Sequence, residues 1–231
     1  MGIRLKHPIS SQRCGRAIRD SGSASSSLSI RRTRATLPPV NHRIAVYLAS
    51  LLACFLTSCA QKDREHVIRV SVAEQKMAVY KKGVRIATYD VSTSKFGLGD
   101  TPGSCRTPLG KLEIAQKIGG GAPLGMKFKD RRPTGEIVRP DAPGRDPIVS
   151  RILWLRGLEK QNARAHDRTI YIHGTAEERN VGKPVSYGCI RMRSSDVVRL
   201  YDTVGVGAAV EIVPGLIDNA VAFHSPVPAT R

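Results

Sequence analysis

Aromatic side chains are scarce in this 231-residue chain: four Phe, six Tyr and one Trp make up 5% of it. Surfaces that bind nucleic acid commonly interleave rings with clustered basic residues. The basic residues here are scattered and no recognition motif accompanies them, so no nucleic-acid partner is expected. Cysteine is sparse and odd in number, five in all, too few for a disulfide scaffold. No internal period repeats, which excludes solenoid and collagen-like architectures. No apolar run reaches the roughly 18–20 residues that a membrane-spanning helix needs. Acid is short too: 19 Asp+Glu face 37 Lys+Arg, a formal charge of +18 that points to an anionic partner. The GGGAPLG stretch at 119–125 is followed by no Gly-Lys-Ser/Thr, so a nucleotide-binding loop is excluded.

What is present is unevenly distributed. Residues 1–58 hold nine basic residues and one acid, Asp20, leaving 28 basic and 18 acidic residues from position 59 onward. The same leader carries SGSASSSLS at 21–29 and Pro38-Pro39, a composition that cannot pack a core. Arg43 then precedes the apolar run Ile44–Leu56, which leads into Leu56-Thr57-Ser58-Cys59. Thirteen residues are too few to span a bilayer but suit the centre of a secretory signal. The ending resembles the bacterial lipobox, whose Cys becomes the lipidated first residue of the mature protein. That resemblance implies lipidation at Cys59 and a membrane-anchored, periplasm-facing location in the cell envelope. Plain periplasmic secretion is the alternative. Because Met77 is the first methionine after Met1, translation is expected to start near Leu37–Val46 at a non-Met codon, with residues 1–36 not normally made. The expected organisation is a non-native or extended basic leader (1–43), a signal and lipobox (44–58), a linker (59–66), one folded domain (67–214) and a tail (215–231).

Within the folded region, short runs alternate apolar and polar residues with the period of a half-buried strand. They cover 67–72, 77–81, 84–92, 111–116, 152–155, 169–173 and 209–213. Lys82-Gly83 is placed to turn a hairpin between two of them. One helix is expected over 194–204, where Val197, Val198, Leu200, Tyr201 and Val204 give a broad apolar face. Residues 117–150 show no clean period and are expected to form a long loop that carries binding function or covers the site. The sum is a mainly β domain, a compact β-sandwich or barrel-like body with one or two short helices.

The chemistry concentrates in TIYIHGT (169–175) and SYGCIRM (186–192). Cys189 follows Gly188 on a turn, which lets thiol and backbone N–H groups face one carbonyl. His173 ends a strand and precedes Gly174. A Cys–His pair is expected to hold a thiolate at neutral pH, with activity falling on the acid side as the thiol protonates. From these residues alone a buried inert cysteine, a surface histidine and zinc ligation stay open, although the paired ligand spacing of a structural zinc site is absent.

HGT at 173–175 with S-x-G-C-I-R-M at 186–192 resembles the signature of the L,D-transpeptidase (YkuD-type) family. STSKFGLG (92–99), PGSCRTPLGKLEI (102–114), PTGEI (133–137), RILWLRGLE (151–159) and IYIHGTAEE (170–178) resemble that domain's other blocks, in the same order. The resemblance implies a mostly β fold and the crosslinking of peptidoglycan stem peptides by a monomer that uses neither metal nor cofactor. It implies Cys189 as nucleophile, His173 as general base and acid, and the Gly174 carbonyl as the group that orients the imidazole. Backbone N–H groups of Tyr187, Gly188 and Cys189 would form the oxyanion hole. Arg191 and Ser186 are candidate substrate-binding residues, with an ion pair and a simple turn as their structural alternatives. The expected donor is a tetrapeptide stem, and D-Ala leaves as a thioester forms. The acceptor stays open among a second stem, water (a carboxypeptidase) and an attached protein (anchoring or release), and a non-catalytic peptidoglycan-binding module is the remaining alternative. Members often carry His where this chain has Tyr187, which cannot titrate near neutral pH. Cys105 is expected as a solitary thiol, or as a regulatory partner for Cys189.

Overall fold

The computed structural model describes residues 61–144 and 146–219. The leader, the signal-like run and Cys59 lie outside the described residues, as does the chain beyond 219. In chain order the strands are β1 (His66–Ser71), β2 (Lys76–Lys81), β3 (Val84–Asp90), β4 (Gly110–Ile118), β5 (Met126–Lys129), β6 (Arg132–Ile137), β7 (Ile148–Gly157), β8 (Tyr171–Thr175), β9 (Ile190–Met192) and β10 (Ala209–Val213). Among the described residues one α-helix, α1 (Ser194–Thr203), follows β9.

All ten strands belong to one mixed sheet in the order β3-β2-β1-β10-β4-β7-β5-β6, with β8 and β9 leaving the opposite side of β7. The described residues are therefore mostly β with one α-helix, and the sheet does not close into a barrel. The segment leaving β3 meets β9 only at Ser92 and Arg191, whose N–H and C=O groups exchange two 2.9 Å hydrogen bonds.

Alternation decides the layering. On β7 and β8, Leu153, Leu155 and Ile172 point to the main core, where α1 lays down Val197 and Leu200 and Val204 follows at its end. Ile152 and Tyr171 point the other way, into a smaller apolar cluster with Phe128, against which Cys189 packs. Helix and candidate site thus lie on opposite faces of the same strands. β7 is interrupted between Val149 and Ile152 by a bulge, and Ser150 within it adopts a φ of 66°. Such bulges re-aim side chains, and this one lies opposite Gly174 and His173.

Lys82 and Gly83 have φ of 49° and 82°, and Lys81 pairs with Val84, which defines a two-residue turn of the expected kind. The expected long loop at 117–150 instead contains the β5–β6 hairpin. Its turn is made by Asp130 (φ 50°) and Arg131 (φ 66°), neither of them glycine, and all of β6 is exposed. An exposed edge strand leaves no apolar alternation to read, and Pro133 within it is tolerated only at such an edge.

Candidate active site

Strand β9 runs parallel to β8 with His173 opposite Arg191 and Ile172 opposite Ile190. Continuing that register back one residue places Cys189 beside Tyr171. Side chains alternate along each strand, so Tyr171, His173 and Thr175 of β8 share a face with Cys189 and Arg191. The parallel pairing therefore brings residues sixteen apart in sequence onto one surface.

The turn before Cys189 is tied down by buried hydroxyls. Ser186, with no exposed surface, donates to the Cys189 carbonyl at 2.6 Å and accepts from the Gly188 N–H at 3.2 Å. Thr107 donates to the Gly188 carbonyl at 3.1 Å and accepts from the Ser94 N–H at 3.0 Å. Thr93 accepts the Ser186 N–H through its carbonyl and is held in turn by Gln75. Gly188 has a φ of 116°, and a Cβ there would lie 3.2 Å from the Arg106 carbonyl. Backbone conformation and space both call for glycine.

His173 is buried, and its Nδ1 lies 2.8 Å from the Gly174 carbonyl. A carbonyl can only accept, so Nδ1 carries the proton and Nε2 keeps its lone pair. Gly174 permits this approach: a Cβ on it would sit 2.5 Å from the Val149 carbonyl and 3.1 Å from Val197 of α1. The Cys189 thiol is partly exposed and donates to the Thr169 carbonyl at 3.5 Å. Thr169 holds a φ of 55°, a costly conformation for a β-branched residue, which turns that carbonyl toward the sulfur.

Burial sets the protonation states. It pushes His173 down to about 4, with the Arg191 charge adding to the effect while the Gly174 carbonyl and Asp146 oppose it. Burial likewise pushes the Cys189 thiol up, against the Tyr171 N–H and the charges of Arg191 and Arg168. Burial thus favours a neutral imidazole beside a neutral thiol over the expected imidazolium–thiolate pair.

Arg191 is buried in an ion pair with Asp146 at 2.9 Å, with Glu177 at 3.5 Å. Asp146 also accepts from the Thr175 hydroxyl (2.6 Å) and from the N–H groups of Ala176 and Glu177. The Arg191 charge is thus spent within the protein, and Ser186 is spent within the turn. Asp146→Asn should leave Arg191 buried without its main counter-charge. We expect a loss of about 3 kcal/mol, the low end for breaking a buried pair, since Glu177 remains. Urea or thermal unfolding checks this, and an unchanged midpoint would contradict it.

Near the thiol, Trp154 stacks on His166 at 4.2 Å and meets Tyr171 edge-on. Arg131, from the β5–β6 turn, lies 4.7 Å from the Trp154 ring and donates to the Tyr171 hydroxyl at 3.3 Å. Cys189 is the free cysteine among the described residues. Cys105 is disulfide-bonded rather than solitary, and not to Cys189, which is free. Among the described residues no group of three His, Cys, Asp or Glu is placed to hold a metal ion.

A sequence model of the YkuD-type L,D-transpeptidase catalytic domain matches residues 65–212. The chain belongs to this family.

Two curated relatives named as L,D-transpeptidases illustrate the match. YqjB of Bacillus subtilis is 52% identical over 52 residues, 22% of this chain and 30% of its own. ErfK/SrfK of Escherichia coli is 46% identical over 72 residues, 28% of this chain and 23% of its own. The matches thus span less than a third of either relative. Among solved structures, an L,D-transpeptidase from Xylanimonas cellulosilytica aligns at 15% identity and a TM-score of 0.43, covering 72% of this chain and 68% of its own.

Several parts of this L,D-transpeptidase domain's site escape sequence reasoning. Asp146 lies 45 residues from its partner Arg191, in a stretch with no period, and nothing local marks it. Arg168 is buried against Asp100 at 2.7 Å and donates to the Arg106 carbonyl, fixing the loop under Gly188. Trp154, the single tryptophan, is the one available signal: a ring at a strand position, brought beside the HGT strand by the β7–β8 pairing.

Proposed function

We propose that the protein is a peptidoglycan L,D-transpeptidase in which Cys189 forms a thioester with a stem peptide. The observation that carries this reading is the orientation of His173. With Nδ1–H bound to the Gly174 carbonyl, its Nε2 lone pair serves the face it shares with the Cys189 thiol. As the sulfur attacks the carbonyl of the residue before a terminal D-Ala, the thiol proton passes to Nε2. The N–H groups of Tyr187 and Cys189 hold the developing oxyanion; that of Gly188 already serves Ser186. The imidazolium returns the proton to the departing D-Ala amine. An amine from a second stem then attacks the thioester, gives its proton to His173, and restores the thiol.

Supporting an envelope location is the charge and hydropathy pattern ahead of Cys59. The lipid on Cys59 would anchor the enzyme, so Cys59→Ser should move it from the membrane to the soluble periplasmic fraction. An unchanged distribution on fractionation would argue against lipid anchoring.

Incubation with purified disaccharide-tetrapeptides, followed by mass analysis, tests the chemistry. Crosslinked dimers with loss of D-Ala are expected. Tripeptides alone would make it a carboxypeptidase, and stems linked to protein an anchoring enzyme. Absence of every product, with no acyl mass on Cys189, would reject acyl transfer.

A further inference from the structure

We infer that Lys95, seated on the rings of Phe96 and Tyr187, binds the C-terminal carboxylate of the peptide whose neighbouring carbonyl Cys189 attacks. The inference rests on the acyl-transfer reading and assigns the recognition of the residue to be displaced.

Position comes first. Lys95 follows Ser94, which pairs in parallel with Ser186, and the Lys95 N–H donates to the Ser186 carbonyl at 3.2 Å. The backbone of Lys95 is thereby bound to the turn that ends in the nucleophile. Its side chain reaches back over that turn: Nζ lies 3.1 Å from the Tyr187 hydroxyl, 4.5 Å from the Tyr187 ring centre and 5.2 Å from that of Phe96. The two rings touch at 5.4 Å and are 42% and 46% exposed, so they form an open platform rather than core.

Charge comes second. Arg168 and Arg191, the cations acting on the thiol, are buried and neutralised by Asp100 and Asp146. Lys95 is exposed, and no carboxylate pairs with it among the described residues. An ammonium has three donors, and the Tyr187 hydroxyl takes one. Donors remain on the exposed ammonium, which the two ring faces help to position.

Reach comes third. A C-terminal carboxylate lies one residue beyond the scissile carbonyl, about 4 Å along the chain. Tyr187 lies two residues before Cys189. In the inferred complex a peptide whose carbonyl meets the sulfur places its terminal carboxylate at the Lys95–Tyr187 edge. This also gives the Tyr187 side chain, standing where related enzymes often carry His, a task that needs no titration: it holds an ammonium.

Binding to the Cys189→Ala protein tests the assignment without requiring turnover. Calorimetry compares the disaccharide-tetrapeptide with the same compound ending in a carboxamide. The acid is expected to bind about tenfold more tightly, a plausible margin for one charge-assisted contact at an open site. Lys95→Met in that background should bring the acid to the affinity of the amide, and Lys95→Arg should restore most of the difference. Equal weakening of acid and amide, a preserved preference in Lys95→Met, or no binding of either compound would overturn the assignment. So would loss of the preference in Arg106→Gln instead, since that exposed cation lies on the neighbouring loop. The two readings fail separately. Discrimination by Lys95 with no D-Ala release by the Cys189 enzyme would reject acyl transfer alone. D-Ala release with no discrimination would reject the role of Lys95 alone.

Discussion

Cys189→Ala is expected to lower D-Ala release by on the order of 10⁴-fold or more, as removal of a nucleophile does when nothing else can form the covalent intermediate. The fold should survive it. The thiol is partly exposed and packs only at the edge of the Phe128–Ile152–Tyr171 cluster, so losing one sulfur costs about 1 kcal/mol or less. The turn itself is held by Ser186, Thr107 and Thr93 through backbone groups that Ala retains. Muropeptides should therefore still bind, and intact-protein mass spectrometry should show no acyl adduct. Full turnover in the Ala variant would dismiss the covalent route. Cys189→Ser separates sulfur from shape: a hydroxyl fits the space, yet a neutral imidazole activates it far less readily than a thiol, so most activity should still be lost.

This arrangement was unevenly legible in the amino-acid sequence. β1, β2, β3, β10 and α1 fall close to where the sequence pattern puts them; β10 shows the reason most plainly, its buried Val210 and Ile212 alternating with half-buried neighbours, as does α1 with Val197 and Leu200 buried on one side. β5 and β6 were missed for the converse reason, an exposed hairpin turned by Asp130-Arg131 instead of a glycine. β9 is three residues long and buried throughout, so it has no period to show. For the site, the ordered motif blocks were enough to single out Cys189 and His173. Their protonation was not legible, since desolvation depends on what Ile152, Tyr171 and the β7 bulge enclose. The ion pair of Arg191 and the turn of Ser186 were legible only as alternatives to substrate binding, because the partner of Arg191, Asp146, is 45 residues away and meets it only in the folded sheet.

His173→Gln should retain the hydrogen bond to the Gly174 carbonyl through its amide N–H while losing the ability to accept a proton. Acylation is then expected to fall by about 10²–10⁴-fold, the usual worth of a general base. The pH dependence is the sharper measurement. Only neutral His173 can take the thiol proton, and burial holds its folded pKa at about 4. kcat/KM of the native enzyme should thus stay level as pH falls through 6.5 and drop only as pH nears 4. An acid limb centred near 6.5 would instead mean that burial does not depress His173, whereas an imidazolium–thiolate pair would show itself by losing activity on the alkaline side as the imidazolium deprotonates. Stability should report the same group with a defined sign. Unfolded His173 binds a proton near pH 6.5 and the folded residue only near 4, so between these values the unfolded chain binds more protons. Its contribution is complete above pH 6.5 and is lost as pH falls through 4, a difference of about 3 kcal/mol. His173→Gln should remove that part of the slope in urea unfolding measured from pH 7 to pH 4. A variant whose slope matches the native protein's would mean that His173 titrates alike in both states, and the neutral-pair mechanism would fall with it.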